Sequence, residues 1–187
     1  MSKAQYYCAC SLDGFIAEAD DTLDWLLKYQ GSFEGEGVEP AEGAFERYYE
    51  GVGAVVMGSA TYEFVLDELS EWPYKNKPAW ILTSRDLPVP DGAGVDVRMA
   101  AVEVSDLYDD MMASAAERNL WVIGGGKVAS QFADKGLLDE LLVTVVPVVL
   151  GAGKPLFDRR LPGGPIQLTG TRAFDSGMVE LRYEIPH

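Results

Sequence analysis

The sequence predicts a three-layer α/β sandwich built on one mixed sheet, and three observations carry that expectation. Short apolar runs of strand length alternate with amphipathic helical stripes through the earlier part of the chain. Glu140 to Leu150 is almost uniformly apolar, as a strand covered on both faces must be. Val179, Leu181, Tyr183 and Ile185 alternate with Glu180, Arg182 and Glu184, and no helical pattern separates them from the strand before. The first two imply a mainly parallel sheet with helices on both faces, and the third implies an antiparallel C-terminal edge.

Taken in order, Gln5 to Ser11 reads as a strand, followed by the turn pair Asp13-Gly14 and a short apolar patch at Phe15 and Ile16. Gly31 to Gly43 is polar, acidic and glycine-containing, which predicts a mobile loop. A helix is expected over Ala44 to Glu50, with Phe45, Tyr48 and Tyr49 on one side and Gly51 as its stop. Gly53 to Met57 is a buried strand, and Tyr62, Val65, Leu66 and Leu69 form a helix stripe ended by Trp72-Pro73. Pro78 to Thr83 is the next strand, and a turn-rich stretch from Pro88 to Gly94 leads to a short one over Val95 to Arg98.

Val104, Leu107, Tyr108, Met111, Met112 and Ala115 fit an amphipathic helix whose methionines belong to the core. Leu120 to Ile123 is a strand that runs into Gly124, Gly125 and Gly126, after which Val128 and Phe132 mark a helix face and Gly136 its cap. Ile166 to Thr171 should pair with the final strand across a turn near Asp175 to Gly177. No repeat, low-complexity tract or linker divides the chain, so residues 1–187 are expected to form a single domain.

Composition excludes several classes of function. The formal net charge is -15, with no run of Lys or Arg, which disfavours nucleic acid and anionic membrane as partners. No apolar segment is long enough to span a bilayer and the N-terminus lacks the features of a signal peptide, so a cytoplasmic protein is expected. Cys8 and Cys10, two apart on one strand, are poorly placed to bridge each other and read as free buried thiols. With these and the single His187, the chain has no metal-ligand cluster and no cysteine-histidine or serine-histidine pair, so any catalysis would rest on a bound cofactor.

Three strand ends carry the chemistry. Val55-Val56-Met57 ends in Gly58-Ser59-Ala60-Thr61, Trp80-Ile81-Leu82 in Thr83-Ser84-Arg85, and Trp121-Val122-Ile123 in the three glycines followed by Lys127 and Val128. Ligands collect at the carboxyl ends of parallel strands, and these ends offer amides, hydroxyls and a guanidinium, the donors that a dinucleotide's phosphates require. Each alone also fits an ordinary turn or helix cap.

The order CSLDGFIA, VVMGSATYE, WILTSR, LWVIGGGKV and VVPVVLGAGKPLF resembles the dihydrofolate reductase-like superfamily, in particular its branch containing the bacterial riboflavin-biosynthesis reductase domain. The resemblance covers nearly the whole chain. It implies a dihydrofolate-reductase-like fold, a homodimer through the C-terminal strands, and NADPH bound in extended form across the sheet. Ala9 and Ile16 would then flank the nicotinamide, and Gly58, Ser59, Ala60 and Thr61 would meet the pyrophosphate and adenosine ribose. Thr83, Ser84 and Arg85 would hold the 2′-phosphate, while Gly124, Gly125, Gly126, Lys127 and Val128 would lie along the pyrophosphate. Relatives commonly carry a cation where this chain has Ser59, which leaves Arg85 as the residue arguing for NADPH.

The implied reaction is hydride transfer to a small heterocycle, such as a pterin, a dihydrofolate or the pyrimidine ribosylamine 5′-phosphate of riboflavin biosynthesis. Counting from Gly58 makes Glu42 the nearest match to the acidic residue that handles the proton in dihydrofolate reductases, with Glu46 one turn later; Asp13, in a loop expected to close over the nicotinamide, is the other candidate. Trp25, Phe33, Phe45, Tyr48 and Tyr49 could line a pocket for a flat ring or belong to the core. The alternative to a reductase is a nucleotide-binding or sensing protein that keeps the fold without catalysis.

Overall fold

The computed structural model describes residues 2–186, so His187 lies outside the described residues. The first half comprises β1 (Ala4–Ser11), β2 (Phe15–Ala17), α1 (Asp24–Leu27), β3 (Val38–Glu39), α2 (Ala44–Glu50), β4 (Val52–Gly58), α3 (Ser59–Glu68), β5 (Ala79–Leu82) and β6 (Val97–Ala100). The second comprises α4 (Val104–Ser114), β7 (Asn119–Gly124), α5 (Gly126–Asp134), β8 (Glu140–Val146), β9 (Lys154–Pro155), β10 (Gln167–Phe174) and β11 (Val179–Glu184).

Nine strands form one sheet in the order β3-β10-β11-β8-β1-β7-β4-β5-β6, and β2 pairs with β9 in a small ribbon beside it. From β8 to β6 every neighbouring pair is parallel. Only β11 runs against the rest, antiparallel to both β8 and β10.

Alternation along the strands divides the core in two. Tyr6, Val56, Leu120 and Val122 face one side, where α4 contributes Met111 and α5 contributes Phe132. Val55, Met57, Ile81 and Trp121 face the other, where α3 contributes Tyr62 and Val65, and α2 rests its Tyr48 and Tyr49. The helices therefore cover both faces, which makes the three layers expected from the sequence.

Several expectations change in detail. The strand expected over Val95 to Arg98 lies two residues later, because Ala79 to Leu82 pair in register with Val97 to Ala100. The loop from Gly31 to Gly43 contains β3, which docks in parallel on Ala173 and Phe174 and forms the sheet edge. The alternating strand β11 is consequently not an edge: its hydrogen bonds are taken by β8 on one side and β10 on the other. Its alternation reflects paired charge instead, since Glu180 is buried and accepts from Arg172 Nε at 3.0 Å. A homodimer through Val179 to Ile185 would have to use the face of this hairpin.

Candidate functional site

β4 and β7 are neighbouring parallel strands, but the helices that follow them depart to opposite faces. The chain then crosses over β1 to reach β8. Such a reversal of strand order opens a crevice at the carboxyl end of the sheet. A cleft of about 930 Å³ lies there.

The helices α3 and α5 both begin at its wall. Gly58 and Gly125 are their N-cap residues, both extended, and neither helix has a side-chain cap. The amides that open a helix have no acceptor inside it, although in α5 the Val128 amide already donates to the Gly125 carbonyl at 2.9 Å, and the aligned peptide dipoles add partial positive charge. Ser59, Ala60 and Thr61 from one helix, and Gly126, Lys127 and Val128 from the other, line the cleft. Two uncapped helix N-termini thus converge on one volume, the donor set an anionic diester bridge calls for.

The glycines have separate duties. Gly124 has φ +124°, a conformation side chains rarely adopt, and follows directly into a cis peptide with Gly125. At Gly126 a Cβ would lie 2.4 Å from the carbonyl oxygen of Pro155, so the approach of the segment containing β9 to α5 demands glycine. Gly125, which lines the cleft, has Ile16 as its neighbour: a Cβ there would stand 3.6 Å from Ile16 Cδ1.

Of the residues expected at a dinucleotide, Ala9, Ile16, Gly58, Ser59, Ala60, Thr61, Thr83, Ser84, Gly125, Gly126, Lys127 and Val128 all line this one cleft. Gly124 and Arg85 do not. Gly124 is buried against the Tyr6 ring, and the Arg85 guanidinium is engaged by Glu63.

The two acidic candidates stand elsewhere. Asp13 accepts from Ser11 Oγ at 2.6 Å and from the amides of Leu150 and Gly151 at 3.1 and 2.7 Å, which ties the turn after β1 to the loop after β8. Those hydrogen bonds, the Ser11 hydroxyl first, hold its carboxyl below the usual range. Glu42 is exposed at the start of the α2 segment, Glu46 is exposed within α2, and neither lines the cleft. The carboxylates that do are Asp21, paired with Lys154 at 3.3 Å, and Asp158, which hydrogen-bonds with Arg159 and is thereby held below the usual range.

The far wall of the cleft is apolar and aromatic, with Tyr7, Leu23, Leu26, Val65, Tyr74 and Trp121. Sequence reasoning missed these residues, although Tyr7 shares a strand face with Ala9, and Trp121 with Ile123. Trp121 is fixed by its Nε1, which donates to the Tyr7 carbonyl at 2.9 Å, and it meets Tyr74 edge-on with centroids 5.9 Å apart. Phe45, Tyr48 and Tyr49 pack around Tyr7 and Trp121 from α2 and form the backing of this wall. Trp25 is half-buried and Phe33 exposed, and neither lines the cleft.

Among the described residues no group of His, Cys, Asp and Glu is arranged to hold a metal, and no helix is long and apolar enough to cross a membrane.

Comparisons agree with this architecture. The chain is 32% identical over 181 residues to the uncharacterised protein YwjB of Bacillus subtilis (strain 168), covering 97% of both chains. A solved structure from Shewanella sp. PV-4, of a protein named for a role in riboflavin biosynthesis, superposes with a TM-score of 0.79 at 27% identity and covers 99% of both chains. Dihydrofolate reductase from Enterococcus faecalis, solved with NADP(H), shares the fold at a TM-score of 0.56 and 16% identity, over 97% of this chain and 94% of that one. The family model described as the RibD C-terminal domain matches residues 3–179, and the chain belongs to that family.

Proposed function

We propose that the protein is an NADPH-dependent reductase of a small, flat heterocyclic substrate. The convergence of the uncapped N-termini of α3 and α5 on one cleft carries this reading. When bound, the nicotinamide supplies the hydride. The chain's own residues would orient it: amides at the two helix ends and the hydroxyls of Ser59, Thr61, Thr83 and Ser84 would receive the phosphates and riboses. Ala9 and Ile16 would flank the ring, and the buried Trp121 and Tyr74 with the partly buried Tyr7 would give the substrate an apolar wall that excludes water.

The composition of that wall narrows the substrate. Its lining residues bring no Lys or Arg, and the cations of the cleft are Lys127, at the helix end, and Lys154, engaged by Asp21. A ribosylamine 5′-phosphate would need a cation of its own, so the wall favours an unphosphorylated ring of the pterin or pyrimidine type over the riboflavin-pathway substrate.

Titration of the protein with NADPH and NADH, followed by fluorescence and thermal stabilisation, tests the reading; no response to either cofactor overturns it. Oxidation of NADPH in the presence of pterins but not of pyrimidine ribotides is the expected outcome of a substrate panel. The second reading, a nucleotide-binding sensor, is favoured by the placement of Glu42 and Asp13 away from the cleft. Tight cofactor binding without turnover across the panel would support it.

A further inference from the structure

Arg85 follows directly on Thr83 and Ser84, which line one end of the cleft, and its backbone N–H donates to Thr83 Oγ1 at 3.0 Å. Its side chain turns to a single carboxylate. Nη1 donates to Glu63 Oε2 at 2.7 Å and Nη2 to Glu63 Oε1 at 2.6 Å. This planar two-point match suits guanidinium and carboxylate, and it is equally the match that guanidinium makes with a phosphate. Two anions would therefore compete for one fork.

The position of Glu63 sharpens that competition. It lies four residues after Ser59 in α3, one turn behind the helix end that opens on the cleft and on the same helix face. It also forms the wall of a second cavity of about 370 Å³ together with Asp20, Asp21, Asp24, Asp67 and Glu68. That cavity shares Asp21, Leu23, Ala60 and Phe64 with the cleft, and no Lys or Arg lines it. Of these carboxylates Asp21 is paired with Lys154, Asp24 with Lys28 and Glu63 with Arg85, so Arg85 stands at the border of an acidic wall and is already neutralised by it. The pair is solvated, with side-chain exposures of 56% for Arg85 and 40% for Glu63, so it can exchange partners without unfolding anything.

We propose that Glu63 is a specificity-determining residue: it holds Arg85 in reserve, so that a 2′-phosphorylated dinucleotide binds by taking the guanidinium from Glu63, whereas the unphosphorylated one leaves the pair intact. The proposal rests on the reading of the cleft as a nicotinamide dinucleotide site. It predicts a restrained preference for NADPH, set by the difference between two bidentate partners rather than by a free cation.

Dissociation constants for NADPH and NADH, measured by fluorescence titration at low ionic strength, test it on the full chain and on Glu63→Gln, Arg85→Gln and the double variant. Removing the competing carboxylate should tighten NADPH about fivefold and leave NADH within about twofold, the size expected for a solvated bidentate pair. Arg85→Gln should weaken NADPH alone, and the gain from Glu63→Gln should vanish in the double variant. Circular dichroism checks that each variant is folded. If wild type binds both cofactors and Glu63→Gln alters neither, or alters both equally, the assignment of Glu63 is overturned while the cleft reading stands. A gain that persists without Arg85 also overturns it. If the wild type binds neither cofactor, the cleft reading fails and the assignment falls with it.

Discussion

Gly58 and Val128, the one at the start of α3 and the other in the first turn of α5, stand directly opposite each other: a Cβ on Gly58 would come within 3.3 Å of Val128 Cγ2. The two helix ends are thus as close as their side chains allow. Gly58→Val should wedge them apart and fill the space between their amides. The expected outcome is loss of the thermal stabilisation given by NADPH, with a cost to the unliganded protein of about 1–3 kcal/mol for overpacking, read from denaturant melts with and without cofactor.

Trp121 lines the cleft, whereas Trp25, Trp72 and Trp80 do not. Quenching of tryptophan emission by a bound dinucleotide should therefore be carried mainly by Trp121 and be largely lost in Trp121→Phe. That variant also forfeits the hydrogen bond to the Tyr7 carbonyl, so a drop in stability of about 1 kcal/mol is expected alongside. Undiminished quenching in Trp121→Phe would place the ligand elsewhere.

Cys8 lines the cleft and Cys10 does not, and both thiols are free. Burial raises both, Cys10 to about 11, so neither is appreciably thiolate at pH 8 and labelling should be slow. In Cys10→Ser, labelling of Cys8 by a thiol reagent should slow further when NADPH is present. In Cys8→Ser, labelling of Cys10 should not respond to the cofactor.

Lys3 Nζ and Gln5 Nε2 both donate to the carboxylate of Glu140, itself buried in β8. Burial pushes the Glu140 carboxyl up, but those hydrogen bonds, with the charges of Lys3 and Arg182, hold it below its ordinary 4.5. A depressed folded value stabilises the protein above pH 4.5 and is lost as pH falls through that value. Lys3, raised above its ordinary 10.5 chiefly by the Glu140 hydrogen bond, contributes below that pH and loses its effect as pH rises through the folded value. Lys3 is 42% exposed, so solvent screens the pair and Lys3→Met should cost only about 1 kcal/mol at pH 7; the gap to wild type in urea melts should hold down to pH 4.5 and narrow as pH falls further, through the folded value of Glu140.

The strand ends were legible in the sequence because their chemistry is local: a strand, then glycine or a hydroxyl, then a helix, each within a few residues. The aromatic wall was not. Tyr7, Tyr74 and Trp121 come from distant parts of the chain and meet because β7 inserts between β1 and β4, an order no linear reading shows. Arg85 follows its strand end as the sequence reads, but its partner lies 22 residues earlier in another element, so its engagement cannot be read from TSR alone. Asp13 shows the same limit: Asp-Gly announced a turn, while the amides it clamps lie 137 and 138 residues away.

The insertion of β11 between β8 and β10 has a consequence for how the molecule comes to be made. Until residues 179–184 emerge and thread into place, β8 and β10 each present a bare ladder of unpaired amides and carbonyls to the cell. A nascent or truncated chain lacking them carries two bare flanks in addition to the outer edges at β3 and β6, so quality control should recognise premature termination here far more readily than loss of an outer strand such as β6.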